Sequence, residues 1–366
     1  MKILMHGALT GSNFGDCLYA QMYAEYLRSI SDDIEVLFWK NRSFGASRHV
    51  VKLCNSKVTK SLETIDGLVY MPGGYFSQTS NPQKRIKRYF ELGEKCLRLN
   101  KDILISAVGG EIVRDKVFSD TVAPIVQKAS LVSVRNQQTF NTFKTAFGVE
   151  PIKLSDVILQ AKYSKLSELP SNIIETINHC KQTNKKILFL HVHGRNKHNA
   201  LFEEKIIPYL NKFLKDKNVH IIIGTDYIPR IWFKNISKLN IYKKIDASKS
   251  VYIYKKPLEL CALLKQCDIV VTPKLHVGVI SAVYGKSVLS FAVNYTKTSE
   301  FYKEIGCSER CISLSCADEH SVLNNFEKYA NIPIEIPSEL FDLSKKNLTL
   351  LKEEILKMKE KISYQG

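Results

Sequence analysis

Between residues 267 and 291 the chain reads CDIVVTPKLHVGVISAVYGKSVLSF, and no other stretch limits the possible fold so strongly. A short β-branched run at 269–271 is stopped by Thr-Pro. A glycine-punctuated apolar stretch of helical character follows, and a second strand-like run at 288–291 closes it. Strand, turn, helix and strand in succession predict an open α/β sheet. Lys274 and His276 fall on the turn and first helical residues, on either side of one leucine. Ligands of such sheets sit beyond the carboxyl ends of the strands, where a helix amino terminus offers free N–H groups to anions. A fixed cation and an acid–base imidazole at that place predict a site for a small anion.

The same alternation runs through the rest of the chain. Strand-like runs at 2–6, 34–39, 68–71, 102–108 and 131–134 are interleaved with helical spacing at 16–29, 82–99, 121–129 and 137–147. After a polar, proline-containing stretch at 161–172, strands at 186–192, 219–224, 250–254, 269–271 and 288–291 alternate with helices at 201–215 and 257–265. The pattern predicts two Rossmann-like doubly wound domains, 1–165 and 166–335, facing a cleft. Near the C-terminus Leu340, Leu343, Leu348, Leu351, Ile355, Met358 and Ile362 form one stripe, with lysines and glutamates opposite. This predicts an amphipathic helix over 336–366 that packs back on the protein, although a membrane surface would accept the same stripe.

Composition narrows the function. A hydrophobic fraction of 45% and a charged fraction of 24% over 366 residues are those of a globular protein with two ordinary cores. The opening MKILMHG reads as a strand, too short for a signal peptide, and no apolar run reaches bilayer-spanning length, so a cytoplasmic location is expected. The net charge of +17 suits nucleic acid, anionic lipid or an anionic substrate. Without a zinc finger, RNP motif or basic heptad helix, nucleic acid is set aside. Solvated lysines account for part of the charge; its densest run is QKRIKRY at 83–89. The nine cysteines contain no CxxC pair, and the 307, 311, 316 group matches no standard zinc spacing, so reduced thiols are expected.

Three glycine turns follow three first-half strands. The first, GALTGSNFGD at 7–16, contains Asn13, Gly15 and Asp16, with Asp16 able to cap the following helix or to contact a ligand. It lacks GxGxxG, which argues against a nicotinamide cofactor. The second contains Gly73 and Gly74, and the third Gly109 and Gly110. Backbone N–H groups at such turns approach phosphate or sugar closely. Arg135 directly follows a strand and is placed to hold a carboxylate or phosphate, to pair on the surface or to cap a helix; Asp156 could orient it. His191, His193 and Arg195 follow another strand; the two histidines suit metal ligation or, with Arg195, contact to a phosphate.

In order and spacing, GSNFGD, the PGG turn, SVRNQQTF followed by SDVIL, and TPKLHVGVISAVYGKSV resemble the polysaccharide pyruvyl transferases over most of residues 1–305. Where that family carries Arg-Leu-His this chain has Lys274-Leu275-His276, and where it carries Arg-Asp this chain has Arg135-Asn136; the first change keeps a cation and loses the guanidinium fork. The resemblance implies a GT-B fold and phosphoenolpyruvate as donor and co-substrate, with no metal or redox cofactor. The implied product is a cyclic pyruvate ketal on a sugar of a cell-surface polysaccharide repeat, with a free sugar or a lipid-linked oligosaccharide as the acceptor. His276 is then the expected general acid and Asp16 the base or orienting group. Arg135, Lys274, Leu275, His193 and Arg195 are expected at the donor, and Asn13, Gly15, Gly73 and Gly74 at the acceptor. The basic surface would suit peripheral contact with the inner face of the membrane. Two other readings compete: a GT-B nucleotide-sugar glycosyltransferase, with Glu300 or Glu304 on a ribose, and a non-enzymatic, charge-driven binder of nucleic acid or anionic lipid.

Overall fold

The computed structural model describes residues 1–41, 45–77, 79–193, 196–228 and 240–365. The chain divides into two compact units. Residues 1–12, 16–160 and 338–366 form the first, and 13–15 and 161–337 the second.

In chain order the first unit contains β1 (Lys2–His6), α1 (Phe14–Ile30), β2 (Glu35–Trp39), α2 (Arg48–Leu53), β3 (Lys57–Thr59), β4 (Gly67–Tyr70), α3 (Pro82–Tyr89), α4 (Glu91–Arg98), β5 (Asp102–Val108), α5 (Lys116–Lys128), β6 (Leu131–Val134), α6 (Gln137–Ala146) and β7 (Ile152–Lys153). Its strands lie in the order β3-β2-β1-β4-β5-β6-β7, and every neighbouring pair is parallel. Strands covered by helices on both faces need unbroken apolar runs, and Ile3, Leu4 and Met5 are fully buried.

The second unit contains α7 (Ser171–Gln182), β8 (Lys186–His191), α8 (Asn196–Lys205), α9 (Ile207–Leu214), β9 (Val219–Gly224), α10 (Asn240–Lys243), β10 (Ser248–Tyr252), α11 (Pro257–Gln266), β11 (Ile269–Thr272), α12 (Leu275–Val283), β12 (Ser287–Ala292), α13 (Tyr295–Glu304), β13 (Cys311–Ser313) and α14 (Glu319–Tyr329). Its sheet runs β10-β9-β8-β11-β12-β13, again all parallel. Strand order reverses beside β1 in the first unit and beside β8 in the second. At these switch points the crossovers diverge, leaving the carboxyl ends of β1 and β4, and of β8 and β11, uncovered.

The last helix, α15 (Ser338–Gln365), rejoins the first unit and packs on β5 and β6. Leu351, Ile355 and Met358 are buried, whereas Leu343 and Ile362 stay largely exposed, so only part of the apolar stripe is covered. Among the described residues no helix is long and apolar enough to cross a membrane.

Two features of the elements differ from the expected pattern. The helix expected over 82–99 breaks at Phe90, whose φ is −113°. Its ring is drawn into the core against Tyr70, Phe76 and Phe118. Strands β3, β7 and β13 are short and lie at or beside sheet edges, with partly exposed residues, so they carry no apolar run to betray them.

Candidate functional site

At the switch point of the second unit, β8 ends in His191, β9 leads into Asp226, and β11 leads through Pro273 into Lys274. These three strand ends converge on one buried charge network. Lys274 Nζ lies 2.6 Å from Asp226 Oδ1, and His191 Nε2 lies 3.3 Å from the same oxygen. His191 Nδ1 is 2.7 Å from Thr272 Oγ1, which also accepts the Lys274 backbone N–H at 3.1 Å. The Thr272 hydroxyl also donates to the Lys274 carbonyl at 3.2 Å, which ties the end of β11 to the turn. Burial opposes ionisation of Asp226, but Lys274 and His191 outweigh it and hold the carboxyl well below its usual range. Burial keeps His191 neutral against the pull of Asp226.

Asp226 is the residue that reading the sequence missed. It follows Gly224 and Thr225 in a segment with no motif, and only the register of β9 beside β8 brings it to Lys274. Its cost to the site is plain: much of the Lys274 charge is already matched, and that side chain is 22% exposed.

Lys274 is the N-cap of α12 and makes no side-chain cap, so the first amides of that helix are not closed off by it. His276 stands in the first turn, half-buried. Residues 13–15 count with this unit, and Phe14 N donates to Asp226 O at 2.7 Å. A Cβ placed on Gly15 would fall within the His276 imidazole. Gly15 is thus required less for its torsions than for the space its missing side chain leaves to the ring. His193 is half-buried nearby, its amide donating to Asn199 Oδ1 at 2.8 Å and its ring 4.7 Å from that of His198. Burial, followed by the charge of Lys274, lowers its pKa to about 3 and leaves it a neutral contact group. Arg195 lies outside the described residues.

The other expected residues, Leu275 apart, belong to the first unit. Asp16 is in the first turn of α1, where a carboxylate favours the helix dipole, and is half-buried; it is not the N-cap, because the helix already starts at Phe14. Gly73 is buried and its carbonyl accepts from Gly109 N at 2.8 Å, while Gly74 is exposed. Gly110 packs so closely on the Phe76 carbonyl that no Cβ could be added without moving backbone. Arg135 is 4% exposed, with Nη1 donating to Tyr19 Oη and Asp156 Oδ2, both at 2.9 Å. Burial opposes its charge, but Tyr19 and Asp156 keep it protonated. Those Nη1 contacts are to the protein itself, so an interior ion pair explains the position of Arg135 directly. Leu275, beside Lys274, is half-buried at the start of α12.

A family model described as polysaccharide pyruvyl transferase matches residues 13–295. None of the curated proteins matches the chain. Among solved structures, the Neisseria meningitidis UDP-GlcNAc 2-epimerase bound to UDP-GlcNAc has a TM-score of 0.61 at 12% identity, covering 98% of this chain and 100% of its own. The Methanocaldococcus jannaschii UDP-GlcNAc 2-epimerase, in complex with UDP-GlcNAc and UDP, has a TM-score of 0.59 at 11% identity over 96% and 100%. Anabaena Alr3699/HepE in complex with UDP-glucose gives 0.52 at 14% identity over 100% of both chains. At such identities the likeness is one of fold, a GT-B-type pairing of two doubly wound units in one chain. The match takes in Asn13–Asp16, the PGG turn, the SVRN turn and the Lys274-Leu275-His276 turn, and on it the chain belongs to the polysaccharide pyruvyl transferase family and is a transferase.

Proposed function

We propose that the enzyme moves the pyruvyl group of phosphoenolpyruvate to two hydroxyls of one sugar in a polysaccharide repeat, forming a cyclic ketal. The observation that carries this reading is His276 in the first turn of α12, packed closely against Gly15 and next to the Lys274–Asp226–His191 network. The amino end of α12, which the Lys274 side chain does not cap, and Lys274 itself suit the donor's phosphate or carboxylate, with the neutral His193 as a further hydrogen-bonding group.

In this mechanism His276 gives a proton to the methylene carbon, and the central carbon becomes electron-poor. A sugar hydroxyl oxygen bonds to that carbon and surrenders its proton to a base, a role we assign to Asp16, one residue along the chain from Gly15. The carbon–oxygen bond to phosphate then breaks with its electron pair staying on phosphate. The second hydroxyl closes the ring, and its proton leaves with the phosphate. One ketal and one inorganic phosphate result, and no oxidant or reductant is consumed.

Acceptor-dependent phosphate release from phosphoenolpyruvate should fall about 10³-fold in His276→Ala, the scale of a lost general acid. An unchanged rate would remove His276 from the mechanism. The fold neighbours crystallised with UDP-sugars give a second reading, with Glu300, half-buried on α13, facing a nucleotide. Release of a nucleoside diphosphate from a UDP-sugar, with phosphoenolpyruvate inert, would establish that reading instead.

A further inference from the structure

Helix α3, PQKRIKRY, carries four cations in eight residues, and they do not all face solvent. Lys84 and Lys87 are exposed, while Arg85 and Arg88, three residues apart and so on one face, are half-buried. Arg85 Nη1 donates to Tyr75 O at 3.0 Å, behind the Gly73-Gly74 turn, and Arg88 Nη2 donates to Thr10 Oγ1 in the loop after β1. Both guanidinium groups lie over the Tyr89 ring, at 5.8 and 5.4 Å from its centre. The pair therefore stands at the uncovered carboxyl ends of β1 and β4, the switch point of the first unit.

Among the described residues neither arginine has a counter-ion: no carboxylate comes within ion-pair distance of either, and Arg88 Nε is buried without an acceptor. Burial lowers the pKa of Arg85; the fields of Tyr89 and the exposed Glu111 oppose that, and Arg88 adds to it. Two like charges turned inward together cost stability unless something of opposite sign joins them. Beside them a surface hollow is lined by Thr10, Ser47, Lys40, Arg48 and Lys52, so the positive field continues beyond the pair.

We propose that Arg85, Arg88 and Thr10 form an oxyanion subsite that takes a phosphate or diphosphate group carried by the acceptor. Adjacent guanidinium forks match the spread oxygens of phosphate better than a lone carboxylate. The assignment to the acceptor rests on the function proposed above, in which the donor belongs to the Lys274–His276 turn.

The test is calorimetric titration of the full chain with inorganic pyrophosphate. Arg85→Gln and Arg88→Gln should each weaken binding about tenfold or more, the loss of one charge-assisted contact. Arg88→Lys, which keeps charge and most of the packing, should lose less. Lys215→Gln, at a lysine-rich hollow in the second unit, should lose nothing. Equal affinity in the wild type and both glutamine variants would overturn the subsite, as would the same loss in Lys215→Gln. A sugar phosphate in solution and the same sugar on a polyprenyl diphosphate in micelles then compete with pyrophosphate. Displacement by either supports the subsite and names its source, and displacement by neither overturns its link to the acceptor. Thermal stabilisation by phosphoenolpyruvate should survive both glutamine variants. If the donor stabilises no form of the protein, the function proposed above fails while the pyrophosphate titration still decides the subsite.

Discussion

Gly15 shows how a single residue can matter for the space it leaves. An alanine is better than glycine in a helix by about 1 kcal/mol, and α1 has already begun at Phe14. Local propensity therefore favours Gly15→Ala, and thermal stability should hold within a few degrees. The added methyl, however, would occupy the place of the His276 ring and force the imidazole aside. A displacement near 1 Å at a reacting group costs about 100-fold, so kcat should drop by that order with the fold intact. A variant with full kcat would show that the ring is not used where it lies. Asp226 teaches the converse at the same scale: its carboxylate positions Lys274 from a segment with no recognisable signature.

Among the elements, α15 has a long reach. It follows the whole of the Ala161–Pro337 segment that belongs to the second unit, yet it completes the first unit's sheet cover. Its stripe of leucines was visible in the sequence, but its most committed residue is polar. Asn347 is fully buried, accepting from Ser133 Oγ at 2.9 Å and donating to Ser155 O at 2.8 Å. Asn347→Ala takes the acceptor from the buried Ser133 hydroxyl and the side-chain donor from the Ser155 carbonyl, so urea denaturation should show a loss of about 2 kcal/mol. A loss below 0.5 kcal/mol would mean that water replaces the amide without cost. The expected helix over 82–99 makes a related point: helical spacing continues through Phe90, but its ring has a better place in the core than the helix allows.

For the whole molecule, a histidine buried in its neutral form adds to acid sensitivity. His6, at the end of β1, is lowered from 6.5 to about 4 by burial, against the opposing carbonyls of Tyr89 and Arg88. Above pH 6.5 neither state is charged and His6 is neutral to stability. Below it the unfolded chain binds a proton that the folded chain refuses, so stability falls as pH drops towards 4 and then levels. The shift corresponds to about 3 kcal/mol. His6→Phe should remove roughly that much of the difference between denaturation curves at pH 7 and pH 4.5, and parallel pH dependence in the two proteins would contradict it.

Strand runs, helical spacing and glycine turns were enough to establish two parallel α/β units and to point at the strand ends that carry the candidate site, because those features depend on neighbours a few residues away. His276, Lys274 and Gly15 were legible for that reason. Tertiary structure alone decided that Asp226 pairs with Lys274, that Asp156 and Tyr19 occupy Arg135, and that Arg85 and Arg88 turn inward together with no counter-ion among the described residues. Sequence periodicity places a side chain on a face of its own element. Which charge meets it there depends on strand order and register, which bring together residues separated by many tens of positions.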